Sequence, residues 1–156
     1  MTKLFLREHY NAALEEIKTT ESRAREATQS IAEAASSGNG WHDNPEFDEA
    51  QRQSSLWTNQ LSQLRNFISG ATIVDSAPKN DGSVRFGREV TVKEETSGKE
   101  EIYVISSFYI PTSLDRKNLI SHASPLAEIL MGSKEGETKI GAIAGKTKKF
   151  TIVKIN

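Results

Sequence analysis

The chain contains no cysteine. Disulfides, thiolate zinc sites and thiol nucleophiles are therefore excluded, and the composition fits a reducing compartment. No apolar run reaches eighteen residues, and the opening Met1-Thr2-Lys3-Leu4-Phe5-Leu6-Arg7-Glu8 is already charged again at its end. Neither a membrane span nor a secretory signal is expected, which points to a cytoplasmic protein with no membrane partner. Charge of one sign is lacking too: 20 Lys and Arg stand against 21 Asp and Glu, for a formal net charge of -1. Gross attraction to nucleic acid is excluded, so any such contact must be local or brought about by a partner. There is no Gly-rich phosphate loop, no nucleophile and base in a recognisable motif, and no metal-ligand spacing. The residues offer no sign of an enzyme acting by itself. With 36% hydrophobic and 26% charged residues the chain is nonetheless of globular composition, and its 156 residues suffice for two small domains.

What is present begins with two apolar stripes. Tyr10, Ala13, Ile17, Thr20, Ala24, Ala27, Ile31 and Ala34 recur at alternating steps of three and four, as do Phe47, Ala50, Ser54, Trp57, Leu61, Leu64 and Ile68. That is the spacing of one helix face, so each run predicts a long helix with a single seam. Between them, Ser36-Ser37-Gly38-Asn39-Gly40-Trp41-His42-Asp43-Asn44-Pro45 holds two glycines and a proline, which stop one helix and start the next. The expectation is an antiparallel helical hairpin over residues 1–70, its loop carried far from the remainder because a thirty-residue helix is about 45 Å long. Glu15, Glu16, Lys18, Glu21, Arg23, Arg25 and Glu26 read as a solvated face of mixed sign.

After Ile68-Ser69-Gly70 the period changes. Short β-branched and aromatic runs at 71–75, 90–93, 101–105 and 150–155 predict strands, separated by turn-forming stretches at 77–82 and 95–99. Ser124-Pro125-Leu126-Ala127-Glu128-Ile129-Leu130-Met131-Gly132 has a cap, a proline at the first helical position and a closing glycine, hence a short helix. Residues 71–156 thus predict a β-sheet domain with one short helix, and the whole chain an α+β protein of two domains.

These features, with the tip Asp43-Asn44-Pro45-Glu46-Phe47, the run Gly82-Ser83-Val84-Arg85-Phe86-Gly87-Arg88-Glu89-Val90 and the segment Ile120-Ser121-His122-Ala123-Ser124-Pro125-Leu126-Ala127, resemble the bacterial Gre transcript-cleavage factors over almost the whole chain. The resemblance implies that residues 71–156 form an FKBP-like domain that docks on RNA polymerase. It also implies that the hairpin enters the polymerase's secondary channel and brings its tip to the active site. There the tip would supply carboxylates that help hold a Mg²⁺ jointly with the polymerase, so that the polymerase cleaves backtracked RNA near its 3′ end. The factor would be a monomeric accessory protein with no cofactor of its own. On this sequence the implied tip carboxylates are Asp43, which would also be the metal ligand, and Glu46, which would assist it; the tip contact is Asn44, the docking residues are Ser121, His122, Ser124 and Pro125, and Arg52 is the candidate contact to RNA. Trp41 stands where the family has a smaller aliphatic residue, and reads either as a second tip contact packing against polymerase or as a cap on the end of the helical seam. Active family members usually carry another Asp three positions before the acid that precedes the Asn. Here Gly40 stands there, which opens the alternative of a channel-binding regulator without cleavage activity. Glu46 also has a plain role in the first turn of a helix, complementing its dipole. His42 reads as a solvated histidine, and His9 and His122 as isolated ones.

Overall fold

The computed structural model describes residues 2–36, 44–76 and 78–156. The chain divides into two compact units, one of Asn11–Ser69 and one joining Met1–Tyr10 to Gly70–Asn156. One edge of this division lies between Ser69 and Gly70, whereas the sequence pattern places its boundary between 70 and 71. The first ten residues belong with the sheet.

The first unit holds α2 (Pro45–Ile68) and, from Asn11 onward, α1 (Arg7–Ser36), the expected pair of long helices. Every seam residue is buried or half-buried, with Ala13, Ile17, Thr20, Ala34, Ala50 and Leu64 fully so. The antiparallel sense appears in the cross-helix partners: Glu21 with Arg65, Thr28 with Ser54, Ala34 with Asn44. Thr20 is tolerated in the seam because its hydroxyl donates to the Glu16 carbonyl one turn back, at 2.8 Å. Small seam residues bury little area per turn, and larger contacts at the flanks add to them. The guanidinium of Arg23 lies over the Trp57 ring, 4.8 Å from its centroid.

The second unit opens with β1 (Lys3–Leu6), which pairs in parallel with β2 (Ala71–Val74). Its five-stranded sheet contains β3 (Glu89–Glu94), β4 (Glu100–Ser106), β5 (Leu119–Ser121), β6 (Thr138–Ile143) and β7 (Lys146–Ile155), in the order β5-β4-β3-β7-β6. A bulge between Thr91 and Val92 interrupts the β3–β7 register, bending the sheet. The short helix α3 (Pro125–Leu130) packs Ala127 and Leu130 into a core with Val84, Val90, Ile105 and Ile152. Alternation explains the assignment of faces, since Val90 and Val92 on β3 point the same way and both are almost fully buried. No helix among the described residues is long and apolar enough to cross a membrane.

Candidate functional site

The described part of the hairpin end is built around Asn44. As N-cap of α2, its side-chain oxygen accepts from the backbone N–H of Phe47 at 3.2 Å. Its amide nitrogen donates to the carbonyl of Ala34, 2.8 Å away near the end of α1. One side chain thus satisfies an orphan donor of the second helix and an acceptor in the last turns of the first. Pro45 follows at the first helical position, where the missing N–H costs nothing. Glu46 is exposed in the first turn of α2, with Asp48 beside it in sequence, the end of a helix that favours negative charge. Trp41, His42, Asp43 and Gly40 lie outside the described residues. Among the described residues, no three His, Asp or Glu side chains gather as a metal site would require.

Arg52 forms a two-pronged contact with Glu49, 2.9 Å from Nε to Oε2 and 2.8 Å from Nη2 to Oε1. Hydrogen bonds from Gln53 and then Arg52 hold the Glu49 carboxyl below its ordinary range. The pair is exposed, so the arrangement is weakly held.

In the sheet unit the four expected docking residues come together at the end of β5 and the start of α3. Ser121 donates from its hydroxyl to the Phe108 carbonyl at 2.9 Å and accepts from the Ala123 N–H at 3.2 Å. Ser124 is the N-cap of α3, accepting from the Ala127 N–H at 3.2 Å, and Pro125 stands exposed at the first helical position. His122 is half-buried, its ring edge-on to Phe86 with centroids 5.7 Å apart. Its Nε2 accepts from the Leu4 N–H at 3.1 Å, so the proton of the neutral ring belongs on Nδ1. Burial lowers its pKa below the usual histidine value. Each of these side chains except Pro125 is engaged in bonds that hold the segment in shape.

Sequence reasoning passed over one cluster beside this segment. His9 is 6% exposed, with Nδ1 2.9 Å from the hydroxyl of Ser107 and 3.3 Å from that of Ser106, both of which are fully buried. Ser107 also accepts from the Leu6 N–H at 2.9 Å, while the Ser106 carbonyl accepts from the His122 N–H at 2.9 Å. Burial, only partly opposed by Glu8, lowers the pKa of His9. The available signal was spacing: His9 precedes Ala13 and Ile17 by four and eight positions, on the buried side of the same helix.

A family model described as the C-terminal part of the transcription elongation factors GreA and GreB matches residues 78–156. The chain is 33% identical over 143 residues to transcription elongation factor GreA of Listeria monocytogenes, covering 88% of this chain and 86% of that one. It is 31% identical over 150 residues to GreA of a Jannaschia species, covering 96% and 92%. Among solved structures, the GreA factor homolog 1 (Gfh1) of Thermus thermophilus aligns over 100% of this chain and 99% of its own at 20% identity, with a TM-score of 0.46.

Proposed function

The chain belongs to the GreA/GreB family of transcription elongation factors, and from that membership we propose that it enters the secondary channel of bacterial RNA polymerase and stimulates cleavage of backtracked RNA. It acts as an accessory to the polymerase, without an active site of its own. The observation that carries the proposal is the pair of hydrogen bonds made by the Asn44 side chain, which ties the end of α1 to the start of α2 and so fixes the helix start that bears Glu46; Asp43 directly precedes Asn44 in the sequence. A carboxylate presented at a helix start on a braced hairpin keeps its position better than one on a free loop.

Asp43 and Glu46 are the residues that would hold a Mg²⁺ jointly with the polymerase. Both offer the hard oxygen ligands that this cation prefers, and as only part of a ligand set they leave room for donors from the polymerase. When bound, such an ion stabilises the attacking and leaving oxygens of phosphodiester hydrolysis. Trp41 would pack against the channel wall beside them. Arg52 can exchange its exposed pairing with Glu49 for a phosphate of the RNA 3′ segment at little cost. Docking falls to the segment around Ser121, His122, Ser124 and Pro125, where internal hydrogen bonds hold Pro125 outward on a fixed helix start.

A second reading is favoured by Gly40, which leaves the tip without the acid usual at that position. In it the protein occupies the channel and regulates transcription without promoting cleavage. Both readings are tested by a cleavage assay on a backtracked elongation complex with labelled RNA, comparing the wild-type chain, Asp43→Ala and Glu46→Gln. RNA shortening that is lost in Asp43→Ala supports the first reading. Binding without shortening supports the second, and absence of binding defeats both.

A further inference from the structure

Strand β6 forms one edge of the five-stranded sheet, and among the described residues no strand pairs with its outer side. The register with β7 fixes which backbone groups that side presents. Ile143 and Lys146 close the tight turn at Ala144-Gly145, and the closing pair of such a hairpin is hydrogen-bonded. Bonding alternates from there, so Ile143, Gly141 and Lys139 bond to β7, and the Glu137 carbonyl, next in that series, accepts from the Ile152 N–H at 2.9 Å. The N–H and C=O groups of Thr138, Ile140 and Ala142 therefore point away from β7, along the free edge.

Edges of this kind are usually blunted by charge, proline, a bulge or a covering element. β6 has no proline, its register with β7 is unbroken, and Lys139 is its one charged residue. The side chains of Thr138, Ile140 and Ala142 are exposed, and Ile140 at 66% is the most exposed large hydrophobic side chain among the described residues. The opposite edge, β5, is three residues long, too short to template a partner. A row of alternating backbone donors and acceptors is complemented by another extended strand. β6 is its own complement: turned antiparallel with Gly141 opposite itself, it sets Ile140 opposite Ala142 of the second copy and Lys139 opposite Ile143 of the second copy, so no like charges face each other. A net charge of -1 leaves two chains with little mutual repulsion.

We propose that β6 pairs with β6 of a second copy of this chain about a two-fold axis, joining two five-stranded sheets into one. Because β5, which leads into the docking segment, is the opposite edge, the pairing leaves that segment open. Two short strands bury less than the roughly 1,200 Å² of a stable interface, so the dissociation constant is expected to be about 0.1–1 mM. Sedimentation of the full chain from about 10 µM to about 2 mM tests this, with amide NMR over the same range. The mass should rise saturably toward twice the 17.3 kDa of one chain, and the amide shifts should concentrate on residues 138–143. In a mixture of isotope-labelled and unlabelled chains, nuclear Overhauser contacts should join Ile140 of one copy to Ala142 of the other. Ala142→Pro removes one outward N–H and none that β7 uses, and should weaken association at least about tenfold. If that variant disturbs the sheet, Ile140→Lys, at an exposed position, decides instead, and the same loss of at least about tenfold is expected. A mass that stays at 17.3 kDa throughout, assembly continuing beyond two copies, shifts centred on another surface, no Overhauser contact between copies at these residues, or association indifferent to the deciding variant would each overturn the proposal. No polymerase is present in these measurements, so their outcome is independent of the cleavage reading.

Discussion

Asn44 and Ala34 are joined by a 2.8 Å hydrogen bond from the side-chain amide of one to the backbone carbonyl of the other. Because the same Asn44 caps α2 through the Phe47 N–H, its two functions can be separated by substitution. Asn44→Asp keeps the cap and loses the donor, whereas Asn44→Ala loses both. Asn44→Ala should cost about 1–2 kcal/mol and Asn44→Asp a smaller amount. Urea unfolding followed by far-UV circular dichroism measures the difference, and equal losses would show that only one of the two bonds matters.

Gly141 on β6 faces α3 at very short range. A Cβ there would lie 2.3 Å from Ile129 Cδ1 and 2.4 Å from its Cγ1. Gly141→Ala should therefore destabilise by about 1–3 kcal/mol through overpacking. In an Ile129→Ala background the two colliding carbons are gone, and the added methyl should then cost less than about 0.5 kcal/mol. A double-mutant cycle by thermal unfolding checks this, and simple additivity would contradict it.

The turn between β6 and β7 places Ala144 at φ 52, the one non-glycine positive φ among the described residues, next to Gly145 at φ 77. Two successive positive angles define the kind of tight hairpin turn that prefers Asn-Gly. Ala144→Asn should raise stability by about 0.5–1 kcal/mol, because Asn enters the left-handed region at lower cost. A lower melting temperature for this variant would refute the account of the turn.

His9 and His122 are held neutral by burial, with folded pKa values below the ordinary 6.5. A lowered histidine pKa means that the unfolded chain binds more protons than the folded one as pH falls through about 6.5. Stability from these two groups is then fully present above that pH, is lost progressively below it, and stops falling once pH passes the folded values. The urea midpoint should fall between pH 7.5 and pH 5.5, and the fall should be smaller in His9→Asn and His122→Gln. An unchanged slope in both variants would assign the pH dependence to other groups.

The hairpin was legible in the sequence because its burial is periodic: each seam residue from Ala13 to Ala34 and from Phe47 to Ile68 is at least half-buried. The short helix was legible because Ser124, Pro125 and Gly132 mark both ends with local chemistry. Strands β1 and β5 were not, since runs of four and three residues carry little pattern and owe their conformation to parallel partners distant in sequence. For the same reason the bonds from Leu4 to His122 and from His9 to Ser107 were invisible: they join residues 118 and 98 positions apart. At the candidate site, sequence identified Asn44 as a tip residue, while its brace to Ala34 required the folded hairpin.

The claim that the hairpin tip reaches the polymerase active site is tested most directly by crosslinking. Because the chain has no cysteine, Ser37→Cys provides a single thiol for a short photo-crosslinker without altering Asp43 or Glu46. In a backtracked elongation complex the account predicts crosslinks to the RNA 3′ segment or to polymerase residues around the catalytic metal. Crosslinks confined to the outer surface of the polymerase, with the labelled protein bound, would contradict it.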